Sequence, residues 1–206
     1  MPKPTAAPNA NPVGRILSGS GAEFIFGCSN PDESAIQLGT FVRAAGFPAD
    51  TTVIGVVSDI RVIDDSFARQ LVAGDAKDEY IREQRERRLT PLEVTALHAG
   101  YLPASGEARH RLPPRPGAAL EAVFPCTPEE IRTFLRHPKG GWRFDFLPLL
   151  LAAGASNEVL AECVWQAAAA QPPDPQNTFR TEAARELARL LAADLQRLYS
   201  LLPQLS

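Results

Sequence analysis

From residue 13 onward the chain alternates short apolar runs with small or polar turn residues. Residues 13–17 and 23–28 read as two strands, the second placing Phe24 and Phe26 on one face by strict alternation. Between them, Ser18-Gly19-Ser20-Gly21 reads as a turn, and Asn30-Pro31-Asp32-Glu33 gives the next turn signal. Residues 38–44 and 52–60 supply further strands rich in Val, Ile, Thr and Phe, and residues 92–101 and 120–124 return to the same texture. Short strands at this spacing predict a closed barrel, because closure removes the unpaired edges they would otherwise present.

Three segments break that rhythm. Residues 75–88 are dominated by charge, with Asp78/Arg82 and Glu83/Arg87 at i,i+4 spacing, which predicts an exposed helix inserted into the barrel. Residues 109–117, RHRLPPRPG, hold three prolines and read as a stiff extended linker. At Thr127-Pro128-Glu129-Glu130 the pattern changes for good: a capping Thr, a Pro at the first helical position and a Glu three residues after the cap open a helix to about residue 136. Residues 146–153 and 157–170 predict two more helices, and residues 179–202 one long terminal helix. Leu187, Leu190, Leu191, Leu195, Leu198 and Leu202 fall on one face of that last helix. The expected fold class is therefore α+β: a small antiparallel, Greek-key-like β-barrel over residues 13–126 and an all-α region over 127–206, preceded by a flexible tail over residues 1–12.

Composition and charge narrow the function. Of 206 residues, 45% are hydrophobic and 22% charged, as in ordinary globular proteins, and the net charge of −3 argues against a protein whose main task is coating phosphate backbone. Three cysteines, Cys28, Cys126 and Cys163, stand too far apart for a metal-binding spacing and are odd in number, so idle thiols in a reducing cytoplasm are expected. MPKPTAAPNANP at the start contains no apolar stretch of the secretory kind, and the longest apolar run, residues 144–155, is too short and too interrupted to cross a bilayer. A cytoplasmic protein with no membrane association is expected.

Candidate chemistry is sparse. His98, His110 and His137 are scattered, and none stands in ligand spacing with a Cys or carboxylate. Ser18 and Ser20 are accounted for by a turn, and Asp59, like Asp64 and Asp65, by strand-end capping. The arginines of residues 82–88 are interleaved with acids and read as a solvated helix face. Arg109, Arg111 and Arg115 are less compensated, Glu107 being the nearest acid in sequence, and could meet phosphate or an acidic partner surface. The leucine stripe Leu187, Leu191, Leu195, Leu198 and Leu202 needs a cover, either the chain's own helices or another subunit. No catalytic residues, cofactor or metal are expected, and the chain is not expected to be an enzyme.

GRILSGSGAEFIF at 14–26, LGTFVRA at 38–44 and VIGVVSDI at 53–60 occur in the order found in the HAS-barrel, the domain shared by the HerA family of DNA-translocating ATPases and the rotary ATP synthases, and the chain resembles that domain over about residues 13–135. Gly14, Glu23, Phe24, Gly39, Val42, Gly55 and Asp59 carry the resemblance. PPRPG at 113–117 followed by PEEIRTFL also resembles the stretch that leads from the HerA barrel toward its motor. A motor requires G-x-x-x-x-G-K-[ST] to wrap nucleotide phosphates, and this chain has none: Lys139 precedes Gly140 and Gly141, and Trp142 stands where a hydroxyl would be needed. The resemblance thus implies an adaptor or assembly module that either docks onto a HerA-type DNA-processing machine or forms a motor-less relative of its collar, with a HerA-type ATPase or a NurA-type nuclease of DNA end processing as the partner and homo-oligomerisation a second implication. Two rivals follow from the residues: a nucleic-acid-binding barrel using the arginine patch, which the net charge does not favour, and an unrecognised enzyme with a site between barrel and helices.

Overall fold

The computed structural model describes residues 11–28, 36–62, 92–104 and 106–205. The charged helix expected over residues 75–88, the turn at residues 30–33 and most of the N-terminal tail lie outside the described residues.

Six strands, β1 (Gly14–Gly19), β2 (Glu23–Cys28), β3 (Phe41–Ala45), β4 (Thr52–Val62), β5 (Leu92–Leu102) and β6 (Ala122–Pro125), close into a barrel in the order β1-β2-β5-β4-β3-β6. Every neighbouring pair is antiparallel, and β6 returns to β1 through Gly14↔Val123 and Arg15↔Ala122. The interior is packed with side chains: Ile16, Phe24, Phe26, Val42, Val53, Val57, Val94, Ala96 and Val123 form one buried cluster. β2 shows the origin of this packing most plainly, since Phe24, Phe26 and Cys28 are buried while Glu23, Ile25 and Gly27 are half-exposed.

Five helices follow: α1 (Pro128–Leu135), α2 (Leu147–Ala152), α3 (Asn157–Ala169), α4 (Gln176–Leu190) and α5 (Leu195–Leu201), with a closing 3₁₀ turn, Leu202–Leu205. The sequence signal at the start of α1 operates as read: Glu130 N donates to Thr127 Oγ1 at 3.2 Å, and Thr127 N donates to Glu130 Oε2 at 2.8 Å, a reciprocal capping box. Ser156 caps α3 and Asp194 caps α5 by the one-way bond alone, their side chains accepting from Val159 N and Arg197 N.

Barrel and helices share one core. Phe41, Ile54, Val56, Leu97 and Ala99 point outward from β3, β4 and β5 and join Phe134, Leu135, Phe146, Leu147, Leu150 and Leu160 in a single buried cluster. The strand run Val53-Ile54-Gly55-Val56-Val57 is buried on both faces, one against the barrel interior and one against helices. Close approach makes this possible at Gly39, whose φ of +79° and position leave no room for a side chain. An added Cβ would lie 2.5 Å from Glu162 Cβ and 2.6 Å from Cys163 N on α3.

One expectation is corrected. The terminal helix predicted over residues 179–202 is two helices, because α4 ends at Leu190, Leu191 leaves helical geometry (φ −97°, ψ 15°) and Asp194 restarts the chain as an N-cap. Its side chain accepts from Arg197 N at 3.1 Å. The leucines consequently do not form one stripe. Leu187, Leu191 and Leu198 are buried in the chain's own core, Leu202 is half-buried, and Leu195 is 55% exposed because the new helix begins off register.

Candidate functional site

The strand directions bring six chain segments to one end of the barrel: the ends of β1, β3 and β5 and the beginnings of β2, β4 and β6. The proline-bearing segment between β5 and β6 runs across this end, passing Gly19 of β1 at Pro116 and Ala45 of β3 at Gly117. Its first part is stitched to β5, Tyr101 N donating to Arg109 O at 2.9 Å and Arg109 N to Tyr101 O at 2.8 Å. His110 is wedged against the helices, its Nε2 2.8 Å from the carbonyl oxygen of Phe134 and its ring 4.4 Å from the Phe134 ring. Arg143 reaches over from beyond α1 to donate to Ala108 O at 3.1 Å. Pro113 is buried. At the far side Leu120 N donates to Ile16 O at 2.8 Å, which hands the chain into β6. Prolines suit this segment because a path across a barrel mouth cannot continue the ladder, and a preset φ stiffens it at little entropic cost.

Three arginines on or beside this segment are held by neutral groups, Arg111 and Arg115 within it and Arg15 on β1 next to Ala122, the first residue of β6. Arg111 donates through Nε and Nη2 to the Tyr101 hydroxyl at 2.9 and 2.8 Å. Arg115 stacks over the Phe47 ring with 4.7 Å to its centroid. Arg15 donates from Nη1 to Leu120 O at 2.9 Å. No carboxylate pairs with any of the three among the described residues. Other arginines divide: Arg43 lies 2.7 Å from Glu130, Arg61 2.7 Å from Asp59, Arg143 3.3 Å from Asp145 and Arg109 itself 3.5 Å from Glu107, whereas Arg180, over the Trp165 ring, and Arg197, on Asn157 and Ala155 O, are held by neutral groups as well. Of the three arginines singled out in the sequence, then, Arg111 and Arg115 belong to the uncompensated set and Arg109 is paired. Arg15 was not singled out, because its place beside Leu120 follows from closure of β1 against β6 and leaves no mark in local sequence.

Large apolar side chains are exposed among these arginines: Phe47 at 49%, Leu112 at 47% and Leu120 at 68%. Phe47 and Leu120 sit on turns whose backbones fix their outward direction, the latter with a positive φ of 67°.

The residues that carry the family resemblance have structural duties. A Cβ at Gly14 would lie 2.3 Å from Gly27 O, and one at Gly55 would lie 2.7 Å from Phe24 Cε1, so these glycines allow strand closure and the seating of Phe24. Phe24 and Val42 are fully buried in the barrel. Glu23 and Asp59 face outward onto a groove of about 340 Å³ between the barrel and the α2–α3 turn, where Arg61 lies 2.7 Å from Asp59.

His98 is the unusual interior residue. It is 1% exposed, its ring lies 5.5 Å from that of Phe24, and neither nitrogen finds a well-aligned hydrogen-bond partner among the described residues. Burial lowers its pKa to about 4, with the Ser20 backbone acting weakly in the other direction. His110 is lowered to about 4 as well, first by burial, with the Phe134 carbonyl opposing. Burial pushes the Cys126 and Cys163 thiols far above their ordinary value, which keeps them protonated and unreactive at neutral pH. Among the described residues no three His, Cys, Asp or Glu side chains converge as a metal site, and no helix is long and apolar enough to cross a membrane.

In comparisons with known proteins, no protein-family model matches this chain, and no curated protein matches it.

Proposed function

We propose that this protein is a non-catalytic docking module, an adaptor or assembly part that works on or beside the collar of a HerA-type DNA-processing machine. The observation that supports it best is the barrel end crossed by the proline segment, where apolar side chains lie exposed near arginines that are oriented and have no carboxylate partner among the described residues. Exposed aromatic and aliphatic groups next to Arg are the ordinary composition of a protein-binding surface. The HAS-barrel part of the reading draws on the ordered motifs at 14–26, 38–44 and 53–60. Gly14, Phe24, Val42 and Gly55 in those motifs occupy positions that a tightly closed barrel demands, and the order β1-β2-β5-β4-β3-β6 fits a Greek-key-like barrel. The barrel interior is filled, so the surface is the part of this domain that can engage a partner.

The test is co-purification of the tagged full chain with a HerA-type ATPase and a NurA-type nuclease from the same cells, alongside light scattering on the isolated protein. Association with either, or a defined homo-oligomer, upholds the reading. A monomer that retains neither partner overturns it.

A further inference from the structure

We infer that the barrel end crossed by the proline segment is built to receive an acidic protein segment that also carries aliphatic or aromatic side chains. This rests on the docking reading and adds the chemistry of what is docked. Arg15, Arg111 and Arg115 are fastened by a backbone carbonyl, a phenol oxygen and an aromatic face, each of which fixes the guanidinium without cancelling its charge. A guanidinium held in this way keeps further N–H donors for an outside acceptor, and its fork matches a carboxylate. Phe47, Leu112 and Leu120, exposed at the same end, provide apolar area that water solvates poorly. Carboxylates alone would leave these three side chains uncovered, and an apolar surface alone would desolvate three guanidiniums that have no carboxylate partner among the described residues, at high cost. A segment combining both properties satisfies the two demands together.

Single-stranded nucleic acid fits less well. Binding of that kind uses free aromatic faces on which bases stack. Phe47, the exposed aromatic of this end, already carries Arg115 on its ring, and Leu112 and Leu120 have no π face to offer.

Fluorescence anisotropy with labelled twelve-residue peptides tests the assignment on the full chain. One peptide carries four Glu interleaved with Leu and Phe, a second the four Glu among Ser, a third the Leu and Phe among Ser, and labelled oligo(dT) serves as the nucleic-acid probe. The mixed peptide is expected to bind at least ten-fold more tightly than either single-property peptide and than oligo(dT). Its affinity is expected to fall several-fold between 50 and 300 mM salt, since exposed charge attraction is screened. Arg111→Ala with Arg115→Ala, and separately Phe47→Ser, are each expected to weaken it about ten-fold while leaving the melting temperature within a few degrees. Equal affinity for the three peptides, tighter binding of oligo(dT), or indifference to both sets of variants overturns the inference.

The two readings fail separately: a monomer that retains neither partner ends the docking reading itself. If Leu195→Glu with Tyr199→Glu on α5 abolishes partner association while the Arg111/Arg115 and Phe47 variants leave it intact, the module docks by its helices and only the assignment to the barrel end falls.

Discussion

His98 shows how far a single residue can tie this fold to pH. With an ordinary value of 6.5 and a folded value of about 4, the unfolded chain takes up the proton first as the solution is acidified. Stability from the neutral ring is therefore complete above pH 6.5 and is lost as the pH falls toward 4. His110 behaves alike. At pH 5 each shift corresponds to roughly 2 kcal/mol, so urea unfolding at pH 5 is expected to give a stability roughly 4 kcal/mol below that at pH 7. His98→Leu removes a buried polar ring and its titration. It is expected to unfold at the same or a higher urea concentration at pH 7, and to halve the pH 5 deficit. An unchanged deficit in that variant would mean His98 does not titrate in this window. Gly39 supplies a second expectation at this scale. Gly39→Ala forces a side chain into a positive-φ position and into the α3 backbone, with a cost of about 2–4 kcal/mol by chemical denaturation.

Among the elements, α1 is the joint between strands and helices. Glu130 uses one oxygen to cap Thr127 N and presents the other 2.7 Å from Arg43 on β3, whose guanidinium also stacks over Phe124. Thr127→Ala is expected to cost about 1 kcal/mol through the cap alone. Glu130→Gln keeps a capping acceptor and loses the charge, so it is expected to be milder than Glu130→Ala; a double-mutant cycle with Arg43→Met checks that the two side chains are coupled. Sequence made these elements legible wherever a local rule sufficed. Alternation of Phe24 and Phe26 gave β2 its bounds, and Thr127-Pro128-Glu129-Glu130 gave α1 its start. The same rules failed where distant contacts decide. Residues 38–40 look like strand because Leu38 and Thr40 suit one, but Gly39 turns there to pack on α3. The unbroken leucine spacing across residues 187–202 hid the interruption that Asp194 creates. The barrel end crossed by the proline segment was only half legible: Arg111 and Arg115 stood out in sequence, whereas Arg15, Phe47 and Leu120 join them through barrel closure.

Over the whole molecule strands and helices share one core, so they are expected to unfold together. Phe41, Ile54, Val56 and Leu97 on the outer barrel face are buried only because the helices lie on them. A fragment ending at residue 126 would expose that face, and it is expected to be insoluble or unfolded. In the intact chain both tryptophans, Trp142 and Trp165, belong to the helical region, Trp142 edge-on to Phe179 and Trp165 beneath Arg180. Their emission and the far-UV circular dichroism of the strands are expected to change at one common temperature. Two separated transitions would show that barrel and helices unfold independently.

The filled barrel also limits the traffic such a module can direct. Phe24, Phe26 and their neighbours occupy its axis, and the segment through Pro113 crosses one end of it. A strand of nucleic acid or an extruded peptide cannot thread through the barrel of an individual copy. If copies of this protein assembled around a conduit, it would run outside their barrels, and its diameter and charge would be set by how the copies are spaced.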